Sequence, residues 1–280
     1  MHLSLILLTI GLAILIRLVW ARQETAWVKR WQTALATFLL PPLLLLMTSV
    51  AVLCMGTQGQ MLGLQVGWLG YSLALGFVGF AGVSLLWLFW QGWRSLQQVR
   101  TYDILDLIDQ TGYLLDSPTL FAAQIGFWQS KLLVSRGLLQ NLTPAQLDAV
   151  LTHEQAHHHY RDTFWFFGLG WLRHLTTWLP NTEALWQELL LLRELRADQW
   201  AAQRVDPLLL AEALLLVVKA PMTDSNNNCV AFSAALPVNR LEERISSLLT
   251  PSAEIEQSKI YQWVWLFLSL FPLLSLTLHV

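Results

Sequence analysis

"NLTPAQLDAVLTHEQAHHHYRD", residues 141–162, carries the start signals of a helix and four of the chain's seven histidines. Thr143 can cap the helix, Pro144 suits the first helical position and Gln146 completes a capping box. The spacing predicts a helix from Pro144 to about Tyr160, with Leu147, Val150 and Leu151 on its apolar face. Residues four apart lie about 40° apart around a helix axis, so His153 and His157 project side by side and can share one metal ion. His158 stands about 140° and His159 about 240° from His153 at about 100° per residue, so neither can join them from this helix. With Glu154 the pair forms His-Glu-x-x-His, the pattern in which two imidazoles bind zinc and the glutamate handles the proton of a water. A polar, histidine-rich helix without a metal is the plain alternative.

A catalytic zinc needs a third protein ligand and an open position. Downstream, "WQELLLLRELRADQWAAQ" (186–203) has no Gly or Pro and is expected to be helical. In it Glu194 and Asp198 share one face. Glu194 would complete a His, His, Glu set for one zinc ion, and Asp198, one turn away, could hold a ligating imidazole by its N–H. Glu188 is the rival ligand, about 120° off that face by helical phase. Arg193 and Arg196 could instead make these acids ordinary surface ion pairs.

The rest of the chain is very apolar. Of 280 residues, 55% are hydrophobic and 13% charged, against about 25% charged in ordinary soluble domains. No Asp, Glu, Lys or Arg occurs from Trp31 to Trp93, which is too long for one crossing of about 20 residues. The break "GTQGQMLGLQ" (56–65) divides this run into spans at about 33–55 and 66–91. A first span lies at 3–20, with Arg17 near its end, where it can snorkel. "IYQWVWLFLSLFPLLSLTLHV" (260–280) makes a fourth. The first segment has no basic start and no small-x-small site after it, so it is not expected to be a cleaved leader. Arg17, Arg22, Lys29 and Arg30 follow the first span, Arg94 and Arg100 the third, and Lys259 precedes the last. The excess of cations inside predicts an outer N-terminus and a cytoplasmic stretch 93–259. Trp20, Trp31, Trp87, Trp90, Trp93 and Trp263 fall near span ends, as interfacial anchors do. A net charge of −2 gives no reason to expect a nucleic-acid partner. Cys54, in a span, and Cys229, in a polar loop, support neither a disulfide framework nor a thiolate site.

"TFWFFGLGWLRHLTTWLP" (163–180) resembles a fifth span, but a crossing there would put Glu194 on the opposite side from His153. It would also place Arg173 and His174 within the bilayer, at about 2.5 kcal/mol or more for the arginine. A hairpin over 163–193 is the better solution, with 163–179 dipping into or lying on the membrane and Pro180-Asn181 turning the chain. Upstream, "TLFAAQIGFWQSKLLVSRGLLQ" (119–140) reads as strands near 119–124 and 131–135, joined at Gly126. The edge of strand 131–135 is a candidate surface for substrate backbone. Arg240, Arg244, Tyr160 and His174 are candidate oxyanion partners, although the arginines of "NRLEERI" suit local salt bridges better. Asp162 either braces the hairpin or lies on a solvated surface. "TDSNNN" (223–228) reads as a loop.

His153-Glu154-x-x-His157 followed by "RD", a hydrophobic hairpin and "ELRAD" (194–198) resembles the integral-membrane gluzincin peptidases, above all the BlaR/MecR type. "KLLVSRGLL" and "NRLEERISSLL" (239–249) are also similar to that family. The HtpX and CAAX prenyl protease group shares the zinc motif and the Glu-x-x-x-Asp pattern. The resemblance implies zinc on His153, His157 and Glu194, Glu154 as the base and Asp198 behind the ligands. It also implies a protein substrate, with a transcriptional repressor as one possibility. Antibiotic-sensing members carry an extracellular sensor after the last span, whereas this sequence stops at Val280, so β-lactam sensing is not expected.

The expectation is therefore a mainly α membrane protein of the cell (inner) membrane. Residues 1–92 hold three transmembrane helices, 93–259 a cytoplasmic zincin-like α+β domain with a membrane-associated helical hairpin, and 260–280 a fourth span. The expected activity is zinc-dependent endopeptidase cleavage of cytoplasmic or membrane-proximal proteins. The alternatives are an HtpX-like quality-control peptidase, a zinc-binding regulator without proteolysis and, more remotely, a transporter.

Overall fold

The computed structural model describes residues 2–21, 27–57, 60, 61, 64, 65, 67–107, 110–128, 130–219, 238–250 and 266–274. The chain divides into two compact units: residues 1–88, 169–189 and 256–280, and residues 89–168 and 190–255.

The first unit is built on α1 (His2–Val19), α2 (Trp27–Met55) and most of α3 (Trp68–Val99). All three are long and apolar enough to cross a membrane. A two-stranded ribbon, β1 (Gln60–Met61) and β2 (Leu64–Gln65), fills the expected break between α2 and α3. Of the expected fourth span, only 266–274 is described, as 3₁₀ turns, with Leu273 packed on Ala51 and Met55. Pro41 and Pro42 lie inside α2 without ending it. Arg17 does not snorkel: it is fully buried, donates from Nη2 to the Phe38 carbonyl at 3.1 Å and lies over the Phe38 ring. The reason is local packing, since α1 closes on α2 at this level and a carbonyl and an aromatic face replace water.

The hairpin exists as two helices, α6 (Asp162–Leu175) and α7 (Thr182–Ala202). Its turn uses Asn181 at φ 56°, the left-handed region that Asn tolerates. Thr182 donates to the Thr176 carbonyl at 2.8 Å and so closes the turn. The tip, residues 169–189, belongs to the first unit. There Trp171 donates its indole N–H to the Ala81 carbonyl at 3.0 Å, and Asn181 donates to the Arg17 carbonyl at 2.9 Å. Glu188 pairs with Arg30 through contacts of 2.5–2.9 Å.

The second unit holds a four-stranded sheet in the order β3-β4-β6-β5. Its strands are β3 (Asp103–Leu107), β4 (Gln110–Leu115), β5 (Ala122–Ile125) and β6 (Lys131–Ser135). The β4–β6 pair is parallel and the other two are antiparallel. The two expected strands are β5 and β6, whereas β3 and β4 are additions. Strand 131–135 is therefore an interior strand. The outer strand on that side is β5, because β4 inserts beside β6, and Ala123, Gln124 and Ile125 of β5 are buried.

Side chains alternate across this sheet. Ala123, Ile125 and Leu133 pack with Val99 on one face, while Leu132 and Val134 pack with Leu138 and Val150 on the other. The second face carries α4 (Arg136–Asn141) and α5 (Pro144–His159), with α8 (Pro207–Lys219) and α9 (Val238–Leu249) beyond. Ser135 caps α4 and also receives the Phe121 N–H. Gly137 is required there, since a Cβ would lie 2.1 Å from the Pro118 carbonyl oxygen. The capping box of α5 is present in both directions between Thr143 and Gln146.

Candidate metal centre

The centre is assembled by α5, α6 and α7 within the second unit. α5 presents His153, Glu154 and His157, all buried. At its end Arg161 adopts φ 53°, an uncommon conformation for a residue with a Cβ, which turns the backbone in a single residue. α6 consequently starts at Asp162, directly beside the last turn of α5. α7 then returns Glu194 and Asp198, both buried.

One ligand atom from each of His153, His157 and Glu194 lies within 4.8 Å of the others. The two Nε2 atoms are 3.2 Å apart. Glu194 approaches His153 Nε2 at 3.3 Å and His157 Nε2 at 3.7 Å, one carboxylate oxygen to each. The two histidines are the pair that helical phase selects, and Glu194 rather than its rival Glu188 is the acid beside them. His158 instead contacts Ser130 Oγ through Nδ1 at 2.7 Å, and His159 stacks on Trp200. Glu188 is not at the centre, because its partner is Arg30.

Each imidazole is held from behind. His153 Nδ1 lies 2.9 Å from Asp198 Oδ1, and His157 Nδ1 lies 2.8 Å from Asp162 Oδ2. The hydrogen bond from His157 Nδ1 to Asp162 fixes the tautomer that leaves Nε2 free to ligate, while Asp198 faces His153 Nδ1 at ion-pair distance without hydrogen-bond geometry. The acids are anchored in turn. Arg244 donates to both oxygens of Asp198 at 2.7 Å, Arg193 donates to Glu194 at 2.7 and 2.9 Å, and Arg196 donates to Asp162. Arg244 thus makes no salt bridge inside its own helix segment; it turns inward, and its Nη1 also lies 3.5 Å from Glu194. Of the other expected oxyanion partners, Tyr160 lies under the Arg196 guanidinium at 4.1 Å and His174 stacks near Phe80 and Trp87.

Burial and charge oppose one another throughout the cluster. Burial disfavours ionised Glu194, but Arg193 and His157 outweigh it and hold the carboxyl well below its ordinary range. Burial likewise opposes charge on Asp198 and Asp162, which Arg244 and the His157–Arg196 pair respectively keep low. Burial would lower His157, yet Glu194 and Asp162 raise it to about 10, and Asp198 with Glu194 raises His153. Glu154 differs. Its burial dominates, and the carboxyl is pushed up despite both histidines.

Residues 109–190 match the model of Peptidase family M48. That match supports a metallopeptidase, and hence a hydrolase. It takes in both histidines and Glu154 but ends before Glu194, which the geometry alone adds. No curated protein matches the chain. No solved structure does either.

Asp162 is the residue that sequence reasoning left undecided. Its only signal was the "RD" directly after the zinc-type helix, and the left-handed Arg161 that aims it cannot be read from an arginine.

Proposed function

We propose that the chain is a membrane-embedded zinc endopeptidase whose centre faces the cytoplasm. The observation that carries this reading is the convergence of His153, His157 and Glu194 beside the buried Glu154. Two imidazoles and one carboxylate are a catalytic zinc donor set that leaves a position open. The residues fit such an ion, since each imidazole has its Nδ1 against an acid and its Nε2 directed at Glu194. When bound, zinc would supply Lewis-acid polarisation of the scissile carbonyl and acidify a water molecule.

The chain's own residues supply the remainder. Glu154, raised by burial, is tuned to accept the proton of the attacking water and return it to the departing amine. Asp198 and Asp162 keep the imidazoles oriented during that transfer. β5 is the outer strand of the sheet and packs against α5, which carries Glu154. Loop cations support the cytoplasmic orientation, and the three long apolar helices support membrane embedding. A substrate tethered to or close to the membrane follows from the two together.

The test compares the full chain with Glu154→Gln in nanodiscs, measuring bound zinc and turnover of an unfolded protein substrate. The expected variant keeps its zinc and loses at least about 100-fold in turnover. Equal turnover in the two proteins would sink the reading.

A further inference from the structure

The second unit carries an aromatic cluster that the chemistry does not use. Phe127 and Trp128, just after β5, meet Phe164 at 5.2 and 5.3 Å, and Phe127 meets Phe89 of α3 at 6.0 Å. Phe164 in turn meets Trp165 at 5.3 Å. These rings are packed against each other, yet Trp128 is 67% and Trp165 62% exposed. Neither indole is left open for lack of nearby apolar surface. They form one outward-facing patch.

Two features identify what covers it. Residues 117–130 and 163–172, which supply most of the patch, contain no charged side chain. The patch is also continuous with the end of a candidate span: Phe89, Trp90 and Trp93 are exposed on the last turns of α3, after its apolar run. Tryptophan enriches where hydrocarbon meets headgroups, because its ring is apolar and its N–H polar. Each segment is flanked by one acid and one cation, but the acids are paired, Asp116 with Arg136 and Asp162 with Arg196. Arg94 lies over the Trp90 ring at 5.4 Å, and Lys131 and Arg161 are exposed. This suits an anionic headgroup layer.

We infer that the Phe127–Trp128 turn and the start of α6 dock into the cytoplasmic interface of the bilayer, and because α6 begins at Asp162, beside His157, this holds the metal centre near the membrane surface. The peptidase part of this statement rests on the function proposed above; the docking does not. The site would then take extended juxtamembrane segments of membrane-anchored proteins in preference to freely soluble chains.

Nitroxide labels report the docking directly. The full chain carrying Glu154→Gln, Cys54→Ser and Cys229→Ser is placed in nanodiscs containing phosphatidylglycerol, with labels at Trp128→Cys or Trp165→Cys and a control at the exposed Glu212→Cys. Positions 128 and 165 should be more accessible to oxygen than to a water-soluble nickel chelate, and position 212 the reverse. Nickel-accessible labels at both 128 and 165 would overturn the docking. So would protection that appears only on adding peptide, as for a substrate groove, or only on crowding, as for a second copy. In the active chain, Trp128→Gln with Trp165→Gln should cut turnover of a lipid-tethered reporter several-fold and leave a soluble one within twofold. Equal losses on both reporters would overturn the substrate preference. Absence of turnover on either reporter by the parent protein, with lipid-accessible labels, would refute the peptidase reading and leave the docking standing.

Discussion

Removing Asp162 isolates the contribution of a residue that touches neither substrate nor the convergent ligand atoms. Its carboxylate lies 2.8 Å from His157 Nδ1 and also receives Arg196. Loss of such a partner costs about 10–100-fold in metal affinity, or about 1.4–2.7 kcal/mol. The loss for Asp162→Ala should lie toward the upper end, because the site is buried. A second cost falls on folding. Breaking a buried ion pair from one side costs about 3–5 kcal/mol, but Arg196 is partly exposed and rests on the Tyr160 ring, so the lower end applies. Asp162→Asn separates the two costs, since its amide oxygen can still accept the His157 N–H but brings no charge. Zinc affinity, measured by competition with a chromophoric chelator in the purified full-length protein, should order as parent, then Asn, then Ala. Thermal melting in parallel verifies folding. A folded Asp162→Ala protein with affinity within twofold of the parent would refute the orienting role.

Four further outcomes follow from the same geometry. Arg244→Met should lower stability by about 3–5 kcal/mol in denaturant titration, because it leaves Asp198 buried without its two-point partner, and Arg244→Lys should recover only part of this loss. In the presence of chelator the melting temperature should fall as pH rises. His157 is raised from its ordinary 6.5 to about 10, so its stabilising protonation is complete below about pH 6.5 and is lost through pH 10. Apparent zinc affinity should change in the opposite direction, rising with pH as protons leave the imidazoles, and a pH-jump titration with a zinc indicator checks this. Gly137→Ala should destabilise by about 1–3 kcal/mol or more in thermal melting, because its Cβ would lie 2.1 Å from the Pro118 carbonyl oxygen and 2.4 Å from its carbon, both backbone atoms.

Local rules reached the parts of this molecule that are local. Helix phase alone selected His153 and His157 from four histidines, and the Thr143–Gln146 capping box located the helix that carries them. The alignment of Glu194 with Asp198 needed only a four-residue spacing. β3 and β4 escaped because "DILDL" and "QTGYLL" alternate weakly, and their pairing is decided by contacts with β6 far along the chain. That pairing also makes β6 an interior strand and β5 the outer one. Arg17 was misjudged because snorkelling assumes that lipid and water surround the helix end. Here α2 supplies the Phe38 carbonyl and ring instead, and sequence gives no sign of that.

Arg193, Arg196 and Arg244 were legible as residues but not as a design, and together they explain how so many acids share one buried site. Each supports a different carboxylate: Glu194, Asp162 and Asp198. Had these arginines only made surface pairs, burial would have favoured protonated acids, and a protonated Glu194 is a poor ligand. With the pairs in place the three acids stay ionised and their charge is met locally. The Glu154 carboxyl has no such guanidinium hydrogen-bonded to it among the described residues, and it alone of the four is pushed upward. The ligand and the proton carrier, both buried glutamates reached through similar helices, are therefore distinguished by which one an adjacent arginine supports.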